Sequence, residues 1–281
     1  MAPPAKTVTR SAPSPTGRLH LGHAYSSLFA YEAAKAANGR FLLRIEDIDR
    51  TRCRPEFEAG IMEDLRWLGL DWEQPVRRQS EHMDDYAAAL ARLREAGLVY
   101  PCFCTRAEIA EASQAPHGPD GPLYPGTCRA LSVAEREARI AAGTAFALRL
   151  DMAQATVQAG PLEWRDRGHG LVRAAPDSFG DVVIARKDTP TSYHLAVTLD
   201  DHLQGITLVT RGEDLFTATH IHRLLQALLD LDTPEYHHHA LVLGPDGKRL
   251  AKRANAPTLA SLREAGHSPD DVRRMALDAL G

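Results

Sequence analysis

The stretch TVTRSAPSPTGRLHLGHAYSSLFAYEAAKAANGRFLLRIEDIDR, residues 7–50, decides the fold that we expect for this chain. It begins with a short predicted strand at 7–12, which runs into a Pro-Ser-Pro-Thr-Gly turn. A helix is predicted at 21–37, ended by an Asn-Gly pair, and a buried strand follows at 41–45. A strand, a helix and a second strand at this spacing are typical of a parallel sheet with helices on its faces. The predicted fold class is therefore α/β.

The rest of the chain continues this pattern with one interruption. Apolar spacing predicts helices at 55–68, 83–96 and 218–229, and short apolar runs predict strands at 145–150, 182–185, 193–199 and 206–210. From Pro101 onward a cysteine cluster and a Pro- and Gly-rich segment replace the regular texture, which predicts an insertion. Four parts are predicted: 1–100 and 186–255 as the two halves of a nucleotide-binding catalytic domain, 101–185 as the insertion, and 256–281 as a short helical end.

Composition excludes several classes of protein. With 281 residues and 44% hydrophobic residues, the chain can bury a core, so disorder is excluded. The net charge of −4 gives no sign of a nucleic-acid partner by itself. No apolar run reaches the roughly 20 residues of a membrane span, and residues 1–10 lack the apolar stretch of a signal peptide. A cytoplasmic protein without membrane attachment is predicted, and we expect a monomer.

Two histidines open the first predicted helix, in the stretch His20-Leu21-Gly22-His23. A helix N-terminus carries unpaired N–H groups and partial positive charge, which suits a phosphate. Gly22 would let a nucleotide approach the backbone without a Cβ clash. Taken alone, these histidines are better explained as capping or core residues.

A second cationic signal comes late in the chain. Gly-Pro-Asp-Gly at 244–247 is followed by Lys-Arg-Leu-Ala-Lys-Arg at 248–253. Such a loop is able to close over a polyphosphate, and Lys252 is the cation that we would place on it. A basic surface loop is the simpler explanation if this feature stands alone.

Three of the four cysteines, Cys102, Cys104 and Cys128, crowd into one short segment. Zinc needs four ligands in a tetrahedron, so three thiolates leave one position to fill. His117, Asp120 and Tyr124 are the local candidates, and because imidazole is a common zinc ligand, chemistry alone favours His117. The alternative is that the cysteines are buried and free, as we expect for Cys53.

At this point the chain resembles the class I aminoacyl-tRNA synthetases, and within them the glutamyl group. Residues 20–23 match the HIGH signature, and 249–253 match the KMSKS signature in degenerate form. Three longer stretches add to the match: RSAPSPTG at 10–17, RIEDIDR at 44–50 and DDHLQGITLVTRGED at 200–214. Arg249 stands in place of the signature's first lysine and retains the cation, whereas Ala251 stands in place of its serine and lacks the hydroxyl.

The resemblance implies a Rossmann-like parallel sheet with a zinc-binding insertion, and activation of L-glutamate by ATP with Mg²⁺. It implies these roles: catalysis by His20, His23 and Lys252; ATP binding by the same three and Gly22; glutamate binding by Arg10, Ser11, Ala12, Pro13, Ser14, Glu46, Tyr193 and Arg211. It also implies Tyr124 as the fourth ligand of a structural Zn²⁺, beside Cys102, Cys104 and Cys128.

The residues themselves support a glutamate site but leave alternatives. A site for glutamate needs an arginine for a carboxylate and an acid for the ammonium group. Arg10 could instead be an exposed strand-end cation, Glu46 a partner of Arg44 or Arg50, and Arg211 a partner of Glu213. Their joint position at the ends of predicted strands, where α/β sheets bind ligands, favours the site.

Within the glutamyl group, the chain resembles the branch that lacks an anticodon-binding domain and transfers glutamate to queuosine in the anticodon stem-loop of tRNA(Asp). Only 28 residues follow Arg253, and residues 193–197 resemble that branch's version of the substrate strand. Two other functions stay open: a shortened synthetase that charges a tRNA 3′ end, and a non-catalytic, synthetase-like protein that binds nucleotide.

Overall fold

The structure is a computed structural model, and it describes residues 6–105, 107–109, 117–118, 121–242 and 257–279. The strands are β1 (Val8–Ser11), β2 (Arg40–Ile45), β3 (Glu73–Arg78), β4 (Val99–Cys102), β5 (His117–Gly118), β6 (Gly121–Pro122), β7 (Ala147–Leu150), β8 (Glu163–Asp166), β9 (Gly170–Arg173), β10 (Val183–Ala185), β11 (Leu208–Gly212) and β12 (Glu235–His239). The helices are α1 (Leu21–Ala36), α2 (Pro55–Trp67), α3 (Met83–Glu95), α4 (Val133–Ala141), α5 (Met152–Ala159), α6 (Tyr193–Leu203), α7 (Ala218–Leu228), α8 (Leu259–Glu264) and α9 (Pro269–Asp278).

The opening unit is built as its sequence predicts. Strands β1 and β2 pair in parallel, and β3 extends the same sheet. The turn from α1 into β2 depends on Gly39, because a Cβ there would lie 2.1 Å from the carbonyl oxygen of Thr7. The glycine thus allows the helix end to pass directly against the start of β1.

A second parallel group, β11, β12 and β8, adjoins the first. The two groups meet where the Thr207 N–H donates to the Val8 carbonyl oxygen over 3.0 Å. The strand order through this junction is β3, β2, β1, β11, β12. Strands β2 and β3 are added on one side of β1, and β11 and β12 on the other, so the order of the strands reverses between β1 and β11. Ligands of doubly wound sheets bind at such a reversal, outside the carboxyl ends of the strands.

An antiparallel sheet of β10, β7 and β4 packs beside the parallel strands. One apolar core, which includes Tyr86, Leu150, Leu195 and Leu224, joins this sheet to α3, α5, α6 and α7. The hairpin of β8 and β9 lies within the segment 101–185, yet β8 pairs with β12. The four-part division of the chain remains a prediction.

Residues 193–199, expected as a strand, form the first two turns of α6, so that prediction was wrong. Ser192 caps the helix, with its hydroxyl accepting from the Leu195 N–H. The run buries Leu195, Ala196, Val197 and Leu199. A short apolar run fits a buried strand and a buried helix equally well, and here the cap decides for the helix.

In the part of the chain that the structure describes, no helix is both long enough and apolar enough to cross a membrane. The monomeric state and the cytoplasmic location remain predictions.

Candidate active site

A cavity of about 260 Å³ lies at the carboxyl ends of β1, β2, β11 and β12, against the first turn of α1. Its walls include most of the predicted site residues: Arg10, Ser11, Ala12, His20, Gly22, His23, Glu46, Tyr193 and Arg211. Ser14 lines an adjoining cavity of about 210 Å³, which shares Glu46 and Tyr193 with the first. Pro13 lines neither, but its carbonyl oxygen accepts from the Glu46 N–H over 3.1 Å.

His20 and His23 cap the start of α1 reciprocally. The Nδ1 atom of His20 accepts from the Gly22 N–H, and the Nδ1 atom of His23 accepts from the His20 N–H, each over 3.2 Å. An Nδ1 atom that accepts carries no proton, so each neutral ring has its proton on Nε2. A Cβ at residue 22 would lie 3.1 Å from the His20 ring, so Gly22 makes room for this arrangement. The capping interpretation and a role toward phosphate are therefore compatible.

Arg10 projects from the end of β1 and is 6% exposed, so it is not the exposed strand-end cation of the simpler interpretation. Its Nε and Nη2 atoms bind both carboxylate oxygens of Asp201, at 2.8 and 3.3 Å, and its Nη1 atom donates to the carbonyl oxygen of Thr210. Burial acts to raise the pKa of Asp201, but Arg10 and Arg44 outweigh it and lower that pKa. The positive charge of Arg10 is therefore compensated within the protein.

Glu46 follows β2 and accepts from the Arg44 Nη2 atom at 3.0 Å, so its proposed pairing with Arg44 is confirmed. Arg44 is fully buried and also binds Asp201 at 2.8 Å. Burial raises the pKa of Glu46, although Arg44 and Arg10 oppose that effect. Glu46 lines both cavities.

Arg211 projects from the end of β11 and is 6% exposed. Its Nε atom donates to His238 Nε2 and its Nη1 atom to His222 Nδ1, both over 3.1 Å. Its Nη2 atom donates to the Thr219 hydroxyl over 2.6 Å. Because guanidinium has no acceptor, both imidazole nitrogens must be unprotonated there.

The charge of Arg211 is not compensated by a directly bound acid. Among the described residues, no carboxylate lies within salt-bridge distance of it, including Glu213, the partner considered from the sequence. The three hydrogen bonds leave one further N–H on each Nη atom. A buried cation with two remaining donors, on the wall of a cavity, is suited to bind a carboxylate.

Lys252 and the rest of residues 243–256 lie outside the described residues. Both flanks of that segment reach the cavity. Val242 is part of its wall, and Thr258 forms an antiparallel bridge with His20.

Comparison with known proteins identifies the family of this chain. A sequence profile described as tRNA synthetases class I (E and Q), catalytic domain, matches residues 6–279. The chain belongs to this family. A curated relative from Rhodobacter capsulatus, named glutamyl-Q tRNA(Asp) synthetase, is 51% identical over 95% of this chain and 99% of its own length. A relative of the same name from Nocardia farcinica is 48% identical over 100% of this chain and 86% of its own length.

Solved structures of longer relatives show the same fold. A glutamate tRNA ligase from Elizabethkingia meningosepticum, in complex with its amino acid, superposes with a TM-score of 0.79 at 29% identity. The match covers 96% of this chain but only 60% of the ligase. This chain therefore spans about three fifths of the length of that ligase.

In this class I synthetase the predicted metal ligands come together at the end of β4. The Sγ atoms of Cys102, Cys104 and Cys128 all lie within 4.8 Å of one another, and the three residues are free thiols. The Tyr124 hydroxyl lies 3.8 Å from Cys104 Sγ and accepts from the Cys128 N–H. Burial, together with the neighbouring Cys128 thiol, raises the pKa of Cys104 to about 11. Asp120 and the side chain of His117, the other candidates, lie outside the described residues.

Several residues of the synthetase site had no role in our sequence-based prediction. Asp201 lay within a quoted family stretch, but its contact with Arg10 spans 191 residues of sequence. His222, His238 and Asp166 come from α7, β12 and β8. The run of three histidines at 237–239 was the one available signal in the sequence. Successive side chains of a strand point to opposite faces, so such a run places histidine on both faces of the sheet.

Proposed function

We propose that this synthetase activates L-glutamate with ATP, forming glutamyl-adenylate and pyrophosphate, and transfers the glutamyl group to queuosine in the anticodon loop of tRNA(Asp). The observation that carries the glutamate half is the uncompensated Arg211 guanidinium on the cavity wall. The acceptor half is supported by the names and the nearly full-length match of the relatives.

Glutamate fits the charges of the cavity. Arg211 offers two N–H donors to a carboxylate, and Glu46 offers an acceptor to the ammonium group. Both groups line the same cavity, and Tyr193 lines this cavity and the adjoining one. Glutamine in the same place would present an amide N–H₂ to a guanidinium and would lose the charge-assisted bond.

Activation requires little beyond positioning and electrostatic stabilisation. The glutamate α-carboxylate attacks the α-phosphorus of ATP, the P–O bond to the β-phosphate breaks, and pyrophosphate leaves with the electron pair. The Nε2–H groups of His20 and His23, at the positive end of α1, donate to phosphate oxygens as charge builds. Mg²⁺ bound with ATP would neutralise part of the phosphate charge. Lys252, which lies outside the described residues, is the further cation that the family resemblance assigns to the phosphates.

The first test is pyrophosphate exchange with enzyme, ATP, Mg²⁺ and L-glutamate alone. Exchange without tRNA is expected, because the pocket residues that we assign to glutamate all lie in this chain. A catalytically silent, nucleotide-binding protein would give none.

The second test compares acceptors. Labelled glutamate is offered to tRNA(Asp) from normal cells, to tRNA(Asp) from cells unable to make queuosine, and to tRNA(Glu). Labelling of the first alone is expected. Equal labelling of the two tRNA(Asp) samples, or preferential labelling of tRNA(Glu), would support charging of a 3′ end instead.

A structural zinc site is the second part of this proposal, with Cys102, Cys104, Tyr124 and Cys128 as ligands. Zinc bound tetrahedrally to thiolates at about 2.3 Å holds sulfurs about 3.8 Å apart, and the Cys104 and Cys128 Sγ atoms lie 3.5 Å apart. The Arg149 guanidinium lies 4.0 Å from the Tyr124 ring centroid, a cation–π contact that holds the ring beside the thiols. The ion would link the end of β4 to residues 124–128.

Metal analysis after gel filtration tests the zinc site. The wild-type protein should carry about one zinc per chain. Cys104→Ser should lose most of it, and Cys53→Ser, outside the cluster, is the matched control. A wild-type protein that is metal-free and fully stable would mean that the thiols are simply buried.

A further inference from the structure

Three hydrogen-bonded histidines, His194, His222 and His238, lie behind the cavity, and the last two bind the Arg211 guanidinium. We propose that His222 and His238 are positioning residues for substrate glutamate, since as neutral acceptors they fix the Arg211 guanidinium while leaving its charge for the substrate carboxylate. This inference rests on the proposed activation of glutamate. Neither histidine lines the cavity, so both act through Arg211 and not by touching the substrate.

The direction of each hydrogen bond follows from Arg211, which can only donate. His238 accepts at Nε2, so its proton is on Nδ1, which lies 2.7 Å from the Asp166 carboxylate. His222 accepts at Nδ1, so its proton is on Nε2, which lies 3.2 Å from His194 Nδ1. One set of proton positions therefore satisfies each of these contacts.

Asp166 selects the tautomer of His238. One carboxylate oxygen accepts from the ring and from the backbone N–H of His238, and the other accepts from the Gly168 and His169 N–H groups. Burial alone raises the pKa of Asp166, but the hydrogen bonds from His238 and His169 hold it at about 2. The carboxylate thus stays charged, and the proton stays on the side of His238 that faces away from Arg211.

The histidines themselves stay neutral because they are buried beside a cation. Burial first, and Arg211 second, lower the pKa of His238 to about 4 and that of His222 well below its usual value. A carboxylate in either place would bind Arg211 directly and compete with the substrate carboxylate for it. An apolar residue would remove one of the three acceptors that orient the guanidinium. A neutral acceptor avoids both effects.

The two histidines use different ring nitrogens, and this difference defines the test. The carbonyl oxygen of asparagine occupies the place of Nδ1, and that of glutamine the place of Nε2. His222→Asn and His238→Gln therefore retain an acceptor for Arg211, whereas His222→Leu and His238→Leu remove it. His202 lies at the end of α6 beside Asp232 and is not part of the hydrogen-bonded histidines behind Arg211. His202→Asn is therefore the control.

The measurement is pyrophosphate exchange with glutamate and ATP varied in turn, alongside thermal unfolding of each variant. Both leucine variants should raise the KM for glutamate at least tenfold, with the KM for ATP within about threefold of wild type. His222→Asn, His238→Gln and His202→Asn should stay within about threefold of wild type for both substrates.

Several outcomes would overturn the inference. These are an unchanged KM for glutamate in folded leucine variants, an equal rise in both KM values, or Asn and Gln variants that fail as badly as the leucine variants while remaining folded. A leucine variant that does not fold leaves the decision to the Asn and Gln pair, in which the exchanged versions, His222→Gln and His238→Asn, should show the higher KM for glutamate. No exchange by the wild-type enzyme would instead contradict the proposed function itself.

Discussion

Arg10 and Arg211 occupy equivalent places at the ends of two adjacent parallel strands, and both are 6% exposed. The partners of the two guanidinium groups differ in charge. Arg10 is bound side-on by the Asp201 carboxylate, whereas Arg211 is held by two imidazoles and a hydroxyl. Burial therefore does not distinguish the two arginines, but the charge of their partners does.

The largest expected difference between the two arginines is in glutamate activation. Arg211→Gln should lower kcat/KM for glutamate about 10²- to 10³-fold, because a substrate carboxylate would be left in the cavity without its ionic partner. Pyrophosphate exchange at several glutamate concentrations measures it. Arg167→Gln, which breaks an exposed pair with Glu235, is the matched control and should change little. Near-wild-type activity of Arg211→Gln would remove Arg211 from the glutamate site.

The loss of stability should be larger for the Arg10 variant than for the Arg211 variant. Arg10→Gln should lower the free energy of unfolding by about 2 kcal/mol, because it removes one of the two guanidinium groups that compensate the buried Asp201 and leaves only Arg44. Arg211→Gln should lower it less, since it removes a buried charge that has no ionic partner and glutamine can still donate to an imidazole. Urea unfolding of both variants measures the difference. Activity of Arg10→Gln should also fall, because Arg10 is part of the cavity wall.

A double-mutant cycle isolates the pair on the compensated side. Asp201→Asn combined with Arg10→Gln should cost about 1–2 kcal/mol less than the sum of the two single changes. Strict additivity would show that the Arg10–Asp201 contact contributes little beyond packing.

The sequence predicts the position of Arg10 better than it predicts the surroundings of Arg211. The strand and helix periods place β1, α1 and β2 correctly, and hence also Arg10, Ser11 and Glu46 at strand ends. These residues are close in sequence to the elements that position them. Local patterns carry that kind of information.

Local sequence patterns do not indicate which partners come from distant segments. Asp201 reaches Arg10 only through α6, which we predicted as a strand over 193–199 from its short apolar run. Asp166 lies on a strand that pairs with β12, inside a segment that its composition marks as an insertion. Whether a cation is compensated depends on such long-range contacts, so the sequence could identify Arg211 as a candidate but not explain why it differs from Arg10.

The smallest expected difference is in the response of stability to mild acid, and it concerns the histidine side alone. Burial, with Arg211 as the second cause, lowers the pKa of His194 to about 4. Between pH 7.5 and 6 the unfolded chain takes up a proton at this histidine and the folded protein does not, so stability falls as the pH falls. For one histidine with an unfolded pKa near 6.5 the loss is about 0.8 kcal/mol over this range.

The Arg10 side should show no such loss in the same range. The pKa of Asp201 is lowered by folding, so its contribution is complete above the unfolded pKa near 4 and is lost only below it. Burial raises the pKa of Asp64 to about 6, which acts in the opposite direction and would mask part of the histidine effect. The measurement is therefore the difference between wild type and His194→Asn, which keeps an acceptor for His222 and shares the Asp64 contribution. Wild type should lose about 0.8 kcal/mol more than the variant between pH 7.5 and 6. Equal losses would mean that His194 titrates normally in the folded protein, and that the histidine side is no more sensitive to acid than the carboxylate side.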